Sequence, residues 1–252
     1  MSGEALHVEE RGTRGRPAAL SLHGFLSCNL QWELHRPAFD RALHWFAAEL
    51  WGHGNSPAPS DPRAYTAEGY VAAFERARRA AGVERWLVVG QSLGAGMMMR
   101  YAVAHPEAVS GLVLTNSRSA FSEVVPADES PTFENARSLD LRALPVHPCH
   151  ARRFPGELRE RMAAAADRVD RAALWRALTD TIRSTCCRDV AAKLALPVLL
   201  VNGARERAFQ EHRAFAAAVI PGIRVVDLDG GHAVNVECPR EFEAALLDFC
   251  AR

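Results

Sequence analysis

An apolar run passes directly into a serine set between two glycines, in Leu87-Val88-Val89-Gly90-Gln91-Ser92-Leu93-Gly94. The apolar half predicts a buried strand, and Ser92–His105 predicts a helix that ends before Pro106. A serine on so tight a turn adopts strained backbone angles, and Gly90 and Gly94 remove side chains that would collide with the neighbouring elements. Its hydroxyl is then exposed at a helix N-terminus, where backbone N–H groups favour developing negative charge. This pattern predicts a nucleophile at Ser92, and the alternative is an ordinary turn with a capping serine.

A histidine and a carboxylate that could serve this serine occur later in the chain. His232 follows the glycine pair that ends an apolar strand, so it lies on a loop that can reach a serine as a general base. Glu206 lies just beyond the apolar run Leu199–Val201, where a carboxylate could hold the imidazole in the required tautomer. Asp229 competes for this role, although it shares the histidine's own strand. The alternatives are a surface-loop histidine and a solvated glutamate paired with the arginines on either side of it.

The wider pattern alternates short apolar runs with helical segments. We predict strands at Ala5–Glu9, Ala18–Leu22, Leu43–Leu50, Trp86–Val89, Leu112–Leu114, Val198–Val201 and Ile223–Leu228. We predict helices at Thr66–Ala81, Ser92–His105, Glu157–Val169, Arg171–Arg183 and Glu241–Cys250. The alternation indicates an α/β fold, with a mostly parallel sheet and helices on both of its faces. It stops between residues 118 and 190, where helical sequence without strands predicts an insertion.

Composition limits the possible partners and compartment. The 252 residues carry 30 basic and 30 acidic side chains, and this balance argues against nucleic acid or an anionic membrane as the main partner. No run approaches the roughly 20 apolar residues that cross a bilayer, and the first residues lack the apolar centre of a secretory signal. The six cysteines show no C-x-x-C pair, so we interpret them as free thiols of a cytoplasmic protein.

Five motifs in this order resemble the α/β-hydrolase superfamily over nearly the whole chain. They are His23-Gly24-Phe25, Gly52-His53-Gly54-Asn55-Ser56, Gly90-Gln91-Ser92-Leu93-Gly94, Pro197 through Gly203, and Gly231-His232 with Glu237-x-Pro239-x-x-Phe242. The resemblance implies Ser92 as nucleophile, His232 as base and Glu206 as acid, with Phe25 and Leu93 forming the oxyanion hole. It also implies a catalytic core of residues 1–117 and 191–252, and a helical cap of residues 118–190.

The chain departs from the family pattern at two positions. The acid position usually carries Asp but here carries Glu206, whose longer side chain changes the geometry of the contact with the histidine. The Gly52–Ser56 motif is usually preceded by Asp-x-x, and here by Glu49-Leu50-Trp51.

Three further residues are candidates for substrate binding. Trp32 and Trp51 lie near the two early motifs, and Arg118 follows the strand after the nucleophile helix, where it could hold a substrate carboxylate. The alternatives are core positions for the tryptophans and a solvent-facing arginine. Met97, Met98 and Met99 are expected in the core. No metal site or cofactor is expected, and His147-Pro148-Cys149-His150 has no second ligand cluster in the sequence.

We therefore expect a serine hydrolase that cleaves a carboxylic ester or thioester of a small to medium, partly apolar substrate. The alternatives are a C–C bond hydrolase or lyase with the same three residues, and a ligand-binding protein without catalysis. Haloalkane displacement is disfavoured, because it needs an aspartate where Ser92 stands. The expected partner is a small molecule, with no nucleic acid and no membrane, and the expected protein is a monomer or homodimer.

Overall fold

The computed structural model describes residues 4–122 and 137–251. Its strands are β1 (Val8–Gly12), β2 (Ala18–Leu22), β3 (His44–Ala48), β4 (Trp86–Gly90), β5 (Val109–Leu114), β6 (Val198–Gly203) and β7 (Arg224–Leu228). They form one sheet in the order β1-β3-β2-β4-β5-β6-β7, in which only the β1–β3 pair is antiparallel. The predicted α/β class with a mostly parallel sheet is confirmed.

Ten α-helical segments lie wholly within residues 4–122 and 137–251. They are α1 (Arg36–Ala42), α2 (Ala67–Ala80), α3 (Leu93–Ala104), α4 (Arg118–Phe121), α5 (Gly156–Ala166), α6 (Arg171–Arg176), α7 (Ile182–Ser184), α8 (Gln210–Val219), α9 (Val234–Glu237) and α10 (Pro239–Cys250). A π-helical turn, Ala177–Thr181, joins α6 to α7. Within residues 4–122 and 137–251, no helix is long and apolar enough to span a membrane.

The two faces of the sheet form two separate cores. Neighbouring strand residues point to opposite faces, so Val88 packs with α2, α3 and α8, whereas Val89 packs with α1 and α10. Strands β3, β4 and β6 are buried along their whole length, which requires that helices cover both faces. Because these strands are covered on both faces, their sequences are almost continuous apolar runs.

Predicted and observed elements agree best in the centre of the sheet. The predicted helix Thr66–Ala81 is α2, and the predicted strand Trp86–Val89 is β4. The first strand begins three residues later than predicted, at Val8, because it pairs antiparallel with β3 from Val8 onward. Helices α1 and α8 were not predicted, and their buried residues are few.

Part of the region predicted as a cap can be described. Residues 118–122 and 137–190 contain α4 to α7 and no strand, whereas residues 123–136 lie outside the described part. The division into a core of 1–117 and 191–252 and a cap of 118–190 stays a prediction.

Two buried histidines fix the loops that leave β2 and β3. His23 Nε2 accepts the N–H of Leu50 at 3.2 Å, and His53 Nε2 accepts the N–H of Leu26 at 3.3 Å. The Nδ1 atom of His53 donates to the carbonyl of Trp51 at 3.0 Å. Burial lowers the pKa of His53 to about 4, and burial with the nearby His53 lowers that of His23 to about 3. Both rings are therefore neutral and bridge the two loops beside the predicted nucleophile.

We expect this neutrality to make folding depend on pH through His53. Its pKa falls from 6.5 to about 4 on folding, so below pH 6.5 the unfolded chain binds a proton that the folded chain rejects. The contribution of His53 to the free energy of unfolding has its full value above pH 6.5. Below pH 6.5 this contribution declines by about 1.4 kcal/mol per pH unit. The stability advantage of wild type over His53→Gln should therefore shrink by about 2 kcal/mol between pH 6.5 and 4.5.

Urea unfolding at several pH values measures this difference. The control is His105→Gln, because the His105 ring is partly exposed beside Glu107. An advantage of wild type over His53→Gln that is equal at both pH values would contradict a neutral, buried His53.

Candidate active site

Ser92 occupies a strained turn between β4 and α3. Its backbone lies at φ 53° and ψ −119°, a conformation that non-glycine residues rarely adopt. The glycines beside it permit the close contacts of this turn. A Cβ on Gly90 would lie 2.5 Å from the Cα of Ala95, and one on Gly94 would lie 2.5 Å from the carbonyl oxygen of Leu22. The turn thus holds the Ser92 side chain at the carboxyl edge of the sheet.

The three residues expected to act together form one hydrogen-bonded chain. Ser92 Oγ donates to His232 Nε2 at 2.8 Å, and His232 Nδ1 donates to both carboxylate oxygens of Glu206 at 3.0 Å each. Glu206 follows β6 and His232 follows β7, so parallel strands bring both side chains to the edge where Ser92 lies. The side chain of His232 is 38% exposed and that of Glu206 is 17% exposed. The imidazole can therefore accept the serine proton while Glu206 holds its other nitrogen.

Asn116 fixes the Glu206 carboxylate, and this contact was not predicted from the sequence. Its Nδ2 donates to Glu206 Oε2 at 2.8 Å and to the carbonyl of Gly203 at 3.0 Å. Its Oδ1 accepts the Gly203 N–H at 2.8 Å. Because Asn116 follows β5, these bonds join the ends of β5 and β6 directly beneath the acid. The only sequence signal was its position after a strand.

The surroundings of Glu206 favour its ionised form. Burial, the largest effect, raises the pKa of this carboxyl, whereas the hydrogen bond and charge of His232 lower it. Asn116 and the positive charge of Arg118 act in the same direction, so the pKa lies below its ordinary value. A carboxylate that stays ionised can stabilise the imidazolium that forms when His232 takes a proton.

Asp229, the competing carboxylate, points away from the imidazole. It binds Arg205, with Arg205 Nε and Asp229 Oδ1 2.6 Å apart, and its side chain is 77% exposed. Arg205 thus pairs with Asp229, and Glu206 is the carboxylate that accepts the hydrogen bond of His232.

The residues expected to form the oxyanion hole, Phe25 and Leu93, both line the cavity at Ser92. Neither backbone N–H has an acceptor among the described residues, whereas the next amide, Leu26 N–H, is bound to His53. Leu26 also has a positive φ of 54°, so the loop turns sharply just after Phe25. Two amides are therefore left to bind an oxygen that carries negative charge.

The cavity above Ser92 has a volume of about 510 Å³ and combines apolar walls with a few polar groups. Its apolar walls include Phe25, Val146, Phe154, Met162 and Ile182. Its polar groups include Ser27, Gln31, Gln91, Arg118 and Glu237. Val146 is 52% exposed, which is unusual for a large aliphatic side chain and places it where the cavity opens to solvent.

The structure does not bring the two tryptophans to this cavity. Trp32 is fully buried against α10, and Trp51 packs on Tyr70 while its indole N–H donates to the carbonyl of Ala64. Their placement corrects the expectation that both bind substrate, because their rings point into the core. Arg118 does line the cavity, and its side chain is exposed.

A buried polar network links the loop after β2 to the helix that follows His232. Ser27 Oγ donates to Gln31 Oε1 at 2.9 Å, and Gln31 Nε2 donates to Asn235 Oδ1 at 2.9 Å. Asn235 Nδ2 donates back to the Gln31 carbonyl at 3.1 Å. No sequence pattern indicates this network, because Gln31 and Asn235 lie 204 positions apart.

The loop of His232 is also held by Glu237, which in turn contacts Arg153 of the predicted cap. Glu237 Oε2 accepts the Gly231 N–H at 2.8 Å and lies 3.2 Å from Arg153 Nη1. Arg153 in turn donates to the carbonyl of Asp229 at 2.8 Å.

In residues 4–122 and 137–251, no group of three or more His, Cys, Asp or Glu residues could hold a metal ion.

Comparison with known proteins shows the family of the chain. The family model described as alpha/beta hydrolase fold matches residues 17–165, more than half of the chain. Epoxide hydrolase 3 of Xenopus tropicalis is 30% identical over 149 residues, which are 58% of this chain and 40% of that protein. The chain thus spans about two fifths of that relative's length. The carboxylesterase YbfK of Bacillus subtilis is 23% identical over 96% of this chain and 83% of its own length.

Solved structures agree over almost the full length. A hydrolase from Pseudomonas aeruginosa PA01 superposes with a TM-score of 0.84 at 26% identity, covering 98% of this chain and 94% of that chain. The serine turn, the sheet order and these similarities all lead to one assignment. The chain belongs to the α/β-hydrolase fold family.

Proposed function

We propose that this protein is a serine hydrolase that cleaves carboxylic esters or thioesters through an acyl-enzyme on Ser92. The observation that carries the proposal is the unbroken hydrogen-bonded chain from Ser92 through His232 to Glu206. The full-length similarity to a carboxylesterase supports it. Known nucleophile–base pairs in acyl transfer have the same spacing.

The reaction follows from these contacts in two steps. Ser92 Oγ attacks the acyl carbonyl carbon while His232 Nε2 takes the serine proton, and the carbonyl oxygen becomes an oxyanion facing the amides of Phe25 and Leu93. The tetrahedral intermediate collapses as His232 returns that proton to the leaving alcohol or thiol. Water then attacks the acyl-enzyme with His232 as base, which frees the acid and restores Ser92.

A serine nucleophile favours acyl over alkyl substrates. An acyl group on Ser92 is an ester, which water and His232 can hydrolyse. An alkyl group from an opened epoxide would form an ether on the serine oxygen, and this site has no means to cleave an ether. We therefore propose acyl-ester rather than epoxide hydrolysis for this chain.

We also propose that residues 118–190 act as the cap that selects the acyl or alcohol group. Val146, Phe154, Met162 and Ile182 supply much of the apolar wall, and all four come from this region. A cavity of about 510 Å³ with such walls fits a small to medium, partly apolar substrate.

Replacing the nucleophile should abolish turnover. We expect Ser92→Ala to lower kcat for para-nitrophenyl butyrate by on the order of 10⁴-fold or more, since the remaining residues cannot form the acyl-enzyme. A fluorophosphonate should label wild type at Ser92, as seen by peptide mass, and should not label the variant. The control is Ser110→Ala, an exposed serine in β5. A wild type that neither hydrolyses acyl esters nor labels at Ser92 would refute the proposal.

The assignment of the acid is tested by two matched amide substitutions. Glu206→Gln keeps the shape of the side chain but removes the charge that stabilises the imidazolium, so we expect kcat to fall by about 10³- to 10⁴-fold. Asp229→Asn removes a charge that faces Arg205 and should change kcat by less than about 3-fold. Steady-state kinetics on one ester compares the two variants. A larger loss in Asp229→Asn would reverse the assignment.

A further inference from the structure

A second pocket lies beside the catalytic cavity, above the carboxyl ends of β5 and β6. Its volume is about 480 Å³, and its described lining is Arg118, Ser122, Arg188, Glu211, His212 and Phe215. Arg118 also lines the catalytic cavity, so this side chain forms a wall common to the two spaces. A substrate that extends past Arg118 from Ser92 would reach this pocket.

The pocket presents two positive charges that have no fixed counter-charge. Neither Arg118 nor Arg188 forms a salt bridge with a carboxylate in residues 4–122 and 137–251. The acidic residue in the described lining is Glu211, whose side chain is 82% exposed and lies 3.7 Å from His212 Nε2 rather than on either arginine. Glu206, the other nearby carboxylate, is bound to His232 and Asn116.

Arg188 is held in place by contacts that leave its charge unneutralised. Its guanidinium lies 4.0 Å from the centre of the Phe215 ring, and Nη1 donates to the carbonyl of Phe121 at 2.7 Å. A guanidinium fixed in this way loses little conformational freedom when it binds an anion. Burial is the main cause that lowers the pKa of His212; the charges of Arg118 and Arg188 act in the same direction, and those of Glu211 and Glu206 oppose them. The pocket is thus a local site of positive potential in a chain of zero net charge.

We propose that this pocket binds an anionic group, a carboxylate or a phosphate, that the substrate carries away from its scissile ester bond. The inference rests on the proposed function, and it narrows the substrate class from esters or thioesters of partly apolar substrates to those that carry a remote anion. The apolar wall of the catalytic cavity receives the intervening carbon chain. Arg118 and Arg188 bind the anion by charge-assisted hydrogen bonds, for which the planar guanidinium is well suited.

Matched esters test the proposal with the anion on either side of the scissile bond. On the acyl side, the mono-para-nitrophenyl ester of glutarate is compared with para-nitrophenyl hexanoate. On the alcohol side, para-carboxyphenyl butyrate is compared with phenyl butyrate. The quantity compared is the ratio of kcat/KM for the anionic ester to that for its neutral partner, within each protein variant.

We expect Arg188→Gln and Arg118→Gln each to lower this ratio by about 10-fold on at least one side of the bond, mainly through KM. Arg188→Lys should lower it less, because the charge remains while the planar donor geometry is lost. The control is Arg240→Gln, which removes the same charge from an exposed position in α10. Ratios that do not change in Arg118→Gln and Arg188→Gln would overturn the proposal.

Binding measured without turnover separates this proposal from the proposed function. In the Ser92→Ala background, calorimetric titration with glutarate and with inorganic phosphate should show binding that Arg188→Gln weakens about 10-fold. The stronger of the two ligands identifies the anion. If these anions bind but wild type hydrolyses no ester, the hydrolase proposal is refuted and the anion pocket is not. Suppose instead that wild type labels at Ser92 but does not prefer anionic esters, and that the Ser92→Ala protein binds neither glutarate nor phosphate. That result would refute the anion pocket and leave the hydrolase proposal standing.

Discussion

The hydrogen bond between Ser92 Oγ and His232 Nε2 depends on two loops that lie 140 positions apart in the chain. It can form because β4, β6 and β7 run parallel and end at the same edge of the sheet. The turn after β4 places Ser92 at that edge. The loop with Gly230 and Gly231 places the His232 ring within hydrogen-bond distance of the Ser92 hydroxyl. A change in sheet order or strand direction would separate Ser92 from His232, whatever the local sequence around either residue.

A glutamate in the acid position needs support that a shorter aspartate would need less. Its extra methylene adds a rotatable bond, and a freely turning carboxylate would hold the imidazole poorly. Asn116 removes this freedom by binding Oε2 and by fastening the backbone of Gly203 on the strand from which Glu206 extends. Gly203 itself lies against the carbonyls of Gly230 and Gly231, so the acid and histidine loops pack directly on each other. The departure from the family pattern is thus accommodated by a neighbouring strand.

Charge in this protein is arranged locally, since its total is zero. Several arginines hold the region between β5 and β6 against the core, as Arg161 does with Glu33 and Arg153 with Glu237. Arg118 and Arg188 differ, because both face a pocket and neither pairs with a described carboxylate. With no global field to attract charged molecules, any preference for an anionic substrate has to arise from such a local site.

The sequence alone determined the strained turn at Ser92, the central strands and the order in which Ser92, Glu206 and His232 follow one another. These features are local: a buried parallel strand needs a continuous apolar run, and a strained turn needs glycines beside the serine. The partners of Glu206, the Gln31–Asn235 network and the inward orientation of Trp32 and Trp51 were decided by the tertiary structure. Each depends on which strands lie side by side and on where a side chain points. Neither property is encoded by residues that are neighbours in the chain.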